Sequence, residues 1–232
     1  MDTDLWTGEQ AARILTLLGK QQLTIAQSEK LILYLPILGK AIKEDVAPPY
    51  DQFHERVGLG PLFPKDQYGR ILITVTGSGL LNEEWGPRLK SGGFVLEQRD
   101  LDVLNQPDYN ENHRLVPGKQ YTVALVLGKE VSKDAERTTA HIRQLGERDY
   151  GKSSDLRGEL ALLIREAISD EQMKRWGIHY IAVPHELIRD SVGQHGIFAA
   201  RRMGDGREVH VYFDYPGACW RDRGAFAYPV SQ

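Results

Sequence analysis

Tyr121-Thr122-Val123-Ala124-Leu125-Val126-Leu127 is apolar at every position except Thr122. Successive side chains of a strand point to opposite faces, so a strand that is apolar at both parities is buried on both. This segment therefore reads as an inner strand of a sheet, and the rest of the chain is read outward from it. Upstream, Arg70-Ile71-Leu72-Ile73-Thr74-Val75-Thr76 is a short β-branched run and reads as a second strand. Between the two, Asn82 to Lys90 reads as a poor helix, because it contains Gly86 and Pro87. Phe94 to Leu96 reads as a brief strand, and Leu101 to Gly118 as loop.

Downstream, Asp134 to Leu145 carries a thin apolar stripe of Ala135, Ile142 and Leu145 and reads as a weakly amphipathic helix. A stronger helix follows a cap at Ser153, Ser154 or Asp155, with Leu156, Leu160, Leu163, Ile164 and Ala167 on one face. Ser169 with Gln172 caps another short helix, which Gly177 ends. Ile178 to Val183 reads as a strand. Gly196 to Met203 and Arg207 to Phe213 flank Gly204-Asp205-Gly206, where Asp-Gly signals a type I′ hairpin that sets Arg201 opposite His210. Ala225 to Val230 reads as a last strand. The fold class expected is α+β: residues 70–232 form a mainly antiparallel sheet covered on one face by the helices of Asp134 to Trp176. An α/β three-layer sandwich is the alternative.

Residues 1–48 read as a separate N-terminal helical hairpin. Thr7 with Gln10 and Thr24 with Gln27 are capping-box pairs, each followed by apolar residues at helical spacing. Pro48-Pro49 ends the second helix, and residues 49–69 form a connecting segment. The hairpin's apolar stripe is too wide for two helices to bury alone. It is expected to pack on the remainder of the chain or on a second copy, forming a homodimer.

The chain carries 29 basic and 32 acidic residues among 232, a formal charge of −3 that excludes a strongly basic nucleic-acid-binding footprint. Arginine supplies 18 of the 29, and arginine suits fixed contacts to carboxylate or phosphate. Cys219 is the only cysteine, so no intrachain disulfide can form. Met1-Asp2-Thr3-Asp4 lacks the basic start of a signal peptide, and the apolar run Leu31 to Leu38 is too short to span a bilayer. A cytoplasmic protein without membrane association is expected.

Four places hold candidate chemistry. Thr76-Gly77-Ser78-Gly79 feeds a helix start and has the makings of an anion cradle, but it lacks both the P-loop lysine and the glycine spacing of a nucleophile elbow. His185-Glu186, with Asp190 and His195, groups imidazoles and carboxylates after a strand, in a spacing that fits no metal signature. In the hairpin, Arg201, His210, Tyr212 and Asp214 share one face. Tyr215 to Arg223 is a loop with Tyr215, Trp220, Arg221 and Arg223, the residue types of binding hot spots.

No catalytic motif, cofactor motif or metal-ligand spacing stands out, so no cofactor and no metal is expected. The reading is therefore a non-catalytic protein-interaction protein that binds another protein through Tyr215, Trp220, Arg221 and Arg223, with nucleic acid as a less favoured partner. The alternative is a small hydrolase or nuclease using His185, Glu186, His195, Arg201 and His210.

Overall fold

The computed structural model describes residues 63–203 and 206–230. The expected hairpin over 1–48, the connecting segment as far as residue 62 and any pairing of chains through the hairpin lie outside the described residues. The described strands are β1 (Leu72–Thr76), β2 (Phe94–Val95), β3 (Gln120–Leu127), β4 (Tyr180–Ala182), β5 (Ile188–Arg189), β6 (His195–Arg202), β7 (Arg207–Phe213) and β8 (Gly224–Pro229). The helices are α1 (Asn82–Ser91), α2 (Gln98–Leu104), α3 (Thr139–Tyr150), α4 (Glu159–Ala167) and α5 (Asp170–Arg175). Among the described residues, no helix is long and apolar enough to cross a membrane.

The strands form one sheet in the order β1-β3-β8-β4-β6-β7-β2, with β5 paired to β6. The sheet is mixed, which corrects the expectation of a mainly antiparallel one. β4 runs parallel to β8, and β2 runs parallel to β7. The reason is connectivity. β4 leads into the antiparallel β6–β7 hairpin, and the chain then crosses back to insert β8 between β3 and β4, in the same direction as β4. Hairpin register is corrected too: Arg201 pairs with Glu208, and Ala199 is the partner of His210. The connection from β6 to β7 is longer than a two-residue turn, because Arg202 already pairs with Arg207.

Side-chain parity divides the core in two. Val123, Leu125, Ile181, Phe198, Ala200, Val209, Val211, Ala225 and Ala227 join one cluster, together with Leu160 and Ile164 of α4 and Trp85 and Leu89 of α1. Val126, Tyr180, Ala182, Ala199, Phe226 and Tyr228 join the other, with Ile142 of α3. Helices thus cover both faces, not one. The cause is legible in β3, β4, β6 and β8, whose burial at both parities requires cover on both sides. Each fully buried large side chain contributes about 2 kcal/mol, which is why α1 persists through Pro87: Trp85 and Leu89 are both fully buried.

Two glycines set close approaches. Gly146 lets α3 lie on the Tyr228 ring, where a Cβ would come within 2.0 Å of a ring carbon. Gly79 takes φ +64° in the turn after β1 and lies against Pro117.

Candidate functional site

On the face of the sheet that holds Tyr180 and Tyr212, the loop after β7 closes over one end of β4 and β6. It is tied down from several sides. The Arg137 backbone carbonyl accepts from the Trp220 N–H at 2.7 Å, and Arg137 Nε donates to the Trp220 carbonyl at 2.9 Å. The Tyr180 hydroxyl donates to the Arg221 carbonyl at 3.0 Å and accepts from the Arg221 N–H at 3.1 Å. Trp220 is half-buried. Its ring lies 5.1–5.5 Å from those of Tyr212, Tyr180 and Phe226, and its indole N–H donates to the Thr139 hydroxyl at 3.1 Å.

This packing leaves a groove of about 660 Å3. Arg201, Arg202, Arg221 and Arg223 line it, with His179. Its rings come from Tyr180, Tyr212, Tyr215 and Trp220, of which Tyr215 is the most open at 66% exposure. No aspartate or glutamate is among the lining residues. Arg201 is committed to Glu208, at 3.3 Å. Among the described residues, the side chains of Arg202, Arg221 and Arg223 make no ion pair or hydrogen bond, and Arg202 Nε is buried without a partner. The charge is felt nearby: what burial it has, with Arg202 and Arg223, holds the His179 imidazole below the usual histidine range.

One strand further along the same face is a carboxylate–imidazole cluster. His210 on β7 is 4% exposed and stands edge-to-face on Tyr212, with ring centroids 4.8 Å apart. Its Nδ1 lies 3.5 Å from Asp100 Oδ1 and 3.8 Å from Glu208 Oε1. Asp100 is fully buried. Its Oδ1 accepts from the Val211 N–H at 2.9 Å and its Oδ2 from the Glu97 N–H at 3.0 Å, which fastens the start of α2 to β7. Burial raises the Asp100 and Glu208 carboxyls above the usual range. Burial, then the charges of Arg201 and Arg99, depresses His210 to about 3, so its ring is neutral near pH 7.

The structure brings Arg201 and His210 together, through Glu208, and leaves the other three candidate catalytic residues elsewhere. His185 is fully buried. Its Nε2 accepts from the Phe198 N–H at 3.0 Å, and its Nδ1 contacts the Glu186 carbonyl, so both ring nitrogens are used by backbone. Burial, and then neighbouring His113, depress it to about 3. Its ring packs on Phe198, a side chain of the opposite face from His210. The Glu186 side chain is solvent-exposed, with Arg143 Nη1 at 3.9 Å. His195 begins β6, about 20 Å along the strand from Arg201.

The four candidate binding residues, Tyr215, Trp220, Arg221 and Arg223, all line the groove. Sequence reading missed Arg202 and His179 there, and Glu97, Arg99, Asp100 and Glu208 in the cluster. Glu208 shares strand parity with His210 and Tyr212, so the alternation that placed those two could have placed it. Glu97 and Asp100 open α2 with half of a capping box, the Asp100 carboxylate accepting from the Glu97 N–H, in a pattern usually begun by Ser or Thr. Comparison of the chain with protein-family models, with curated proteins and with solved structures finds no match.

Proposed function

We propose that this is a non-catalytic binding protein whose groove takes a short stretch of single-stranded nucleic acid, phosphates on the arginines and a base on the Tyr215 and Trp220 rings. One observation carries the reading: three arginines without an ion pair share a ring-lined groove with no carboxylate. Free guanidinium groups held side by side repel one another, and an anion relieves that repulsion. The rings supply what a bare anion does not need. Base–aromatic stacking is worth about 1–3 kcal/mol per base. The volume, about 660 Å3, suits a nucleotide or two and not a folded domain. A protein partner remains the competing occupant, since Trp, Tyr and Arg also serve protein interfaces. A phosphodiester is favoured over it because protein segments carry charges of both signs, and the groove has no carboxylate to meet the basic ones.

The test is fluorescence anisotropy on the full chain, with a labelled single-stranded oligonucleotide and a labelled oligo-glutamate peptide of similar charge. The oligonucleotide should bind, with a log–log salt slope near −2 if three phosphates are neutralised, at about −0.7 each. Replacing Arg202, Arg221 and Arg223 by alanine should abolish that binding. Uptake of the peptide alone would transfer the groove to a protein partner. Uptake of neither would end the reading.

A further inference from the structure

We propose that Glu97, Asp100 and His210, with Glu208 alongside, form a binding site for a divalent transition-metal ion that is separate from the groove. One ligand atom from each of Glu97, Asp100 and His210 lies within 4.8 Å of the other two. Zinc–nitrogen and zinc–oxygen bonds are about 2.0–2.2 Å and the geometry is tetrahedral, so neighbouring donors stand about 3.4 Å apart; closing this set takes roughly 1.5 Å of side-chain motion, which half-exposed Glu97 can supply. The donors suit the purpose. Asp100 is held rigidly by two backbone N–H groups, and buried His210 turns its Nδ1 toward Asp100 and Glu208.

Two further observations point to a cation here. Glu208 is 2% exposed; its Oε2 is ion-paired to Arg201 Nε at 3.3 Å, and its Oε1, 3.8 Å from His210 Nδ1, faces the same ring nitrogen as Asp100. The position is also already marked by a positive group. Arg99 Nε lies 2.9 Å from Glu97 Oε2, and its Nη2 lies 3.2 and 3.4 Å from the two His210 ring nitrogens. The Arg99 side chain is 46% exposed and can swing into solvent. With Arg99 in place, three carboxylates face two guanidinium groups and one negative charge is left over. With a divalent ion in its stead, three carboxylates face Arg201 and two metal charges, and the site is neutral. An imidazole with carboxylates selects a borderline ion such as Zn2+ or Co2+ over Mg2+, which prefers oxygen ligands and keeps its water. Arg99 is then the competing cation, the place-holder of the metal-free state.

Calorimetric titration of the full chain with ZnCl2, and visible absorption of the Co2+ form, test this. The wild type should take up one Zn2+ in preference to Mg2+ and give a Co2+ band. Glu97→Gln and His210→Gln should each weaken uptake by about tenfold or more. Glu97 is half exposed, so its variant folds even where the histidine variant does not. Arg99→Ala should bind Zn2+ more tightly than the wild type. Equal affinity in the wild type and Glu97→Gln would place the ion elsewhere and overturn the assignment. So would equal competition by Mg2+, or an absence of uptake by both the wild type and Arg99→Ala.

Discussion

Glu159, the first residue of α4, spends its carboxylate on Ser78: Oε1 accepts from the Ser78 N–H at 2.8 Å and from the Ser78 hydroxyl at 2.7 Å. The same oxygen accepts from the Gly79 N–H at 3.1 Å, and Oε2 accepts from the Leu115 N–H at 2.6 Å. The glycine-rich turn is thus an anion cradle after all, and the anion it holds is the protein's own. This joins the end of β1 to α4 and accounts for a glutamate with no exposed surface.

Glu159→Gln should be strongly destabilising. The amide keeps one acceptor but turns donor hydrogens toward backbone N–H groups that need an acceptor. Losing a charge-assisted bond and stranding a buried donor costs about 3 kcal/mol. At about 2–4 °C per kcal/mol for a domain of this size, the melting temperature should fall by roughly 10 °C. A shift below about 2 °C in a thermal melt would show that the cradle contributes little.

Acid should weaken the fold through its buried histidines. His185 and His210 sit near 3 in the fold against 6.5 for the free side chain. Between those values the unfolded chain binds more protons, so stability falls as pH drops from about 6.5 toward 3. Asp100 and Glu208 are raised and act in the opposite sense, which makes a difference measurement the clean one. Urea unfolding of the wild type from pH 7 to 5 should fall more steeply than that of His185→Gln, by up to about 1.4 kcal/mol per pH unit. Parallel curves would mean His185 is not held neutral.

The groove allows binding to be separated from folding. Tyr215 and Arg221 are exposed, so Tyr215→Ala and Arg221→Ala should each weaken oligonucleotide binding by about tenfold while the melting temperature stays put. Trp220→Ala should lower both, because its ring packs on Phe226 and its N–H serves Thr139. A Tyr215→Ala protein that melts lower would place that ring in the core instead of on the ligand.

Gly146→Ala should destabilise α3 although alanine is the better helix former. The gain in propensity is about 1 kcal/mol. The added methyl would meet Tyr228 ring carbons at 2.0–2.4 Å, and overpacking of this kind costs about 1–3 kcal/mol or more. A raised melting temperature would show that α3 can lift off β8 freely.

The strands were legible where side-chain chemistry is monotonous. Tyr121 to Leu127 became β3, the run at Arg70 became β1, and Ser169 does cap α5 with Gln172. What escaped was whatever depends on partners far along the chain. Nothing local tells Ala225-Phe226-Ala227 that it will lie parallel to β4, or moves the hairpin register from Arg201–His210 to Arg201–Glu208. The cluster at His210 escaped for the same reason. Asp100 reaches it from α2, a helix placed in a stretch read partly as loop. The groove was half visible, because Tyr215, Trp220, Arg221 and Arg223 are close in sequence, while Arg202 and His179 arrive from β6 and the approach to β4.

The place of β8 has a consequence for the order in which the molecule can be made. β1 and β3 lie on one side of it, and β4, β6, β7 and β2 on the other; neither group pairs with the other directly. Leu125 waits for Ala227, and Ile181 waits for Ala225. A nascent chain can therefore assemble two partial sheets, each with a raw apolar edge, but cannot join them until Pro229 has left the ribosome. Translation, at about 5–20 residues per second, leaves those edges open for several seconds. During that interval the β8-facing edges of β3 and β4 are open to pairing with other chains, an exposure the finished sheet does not have.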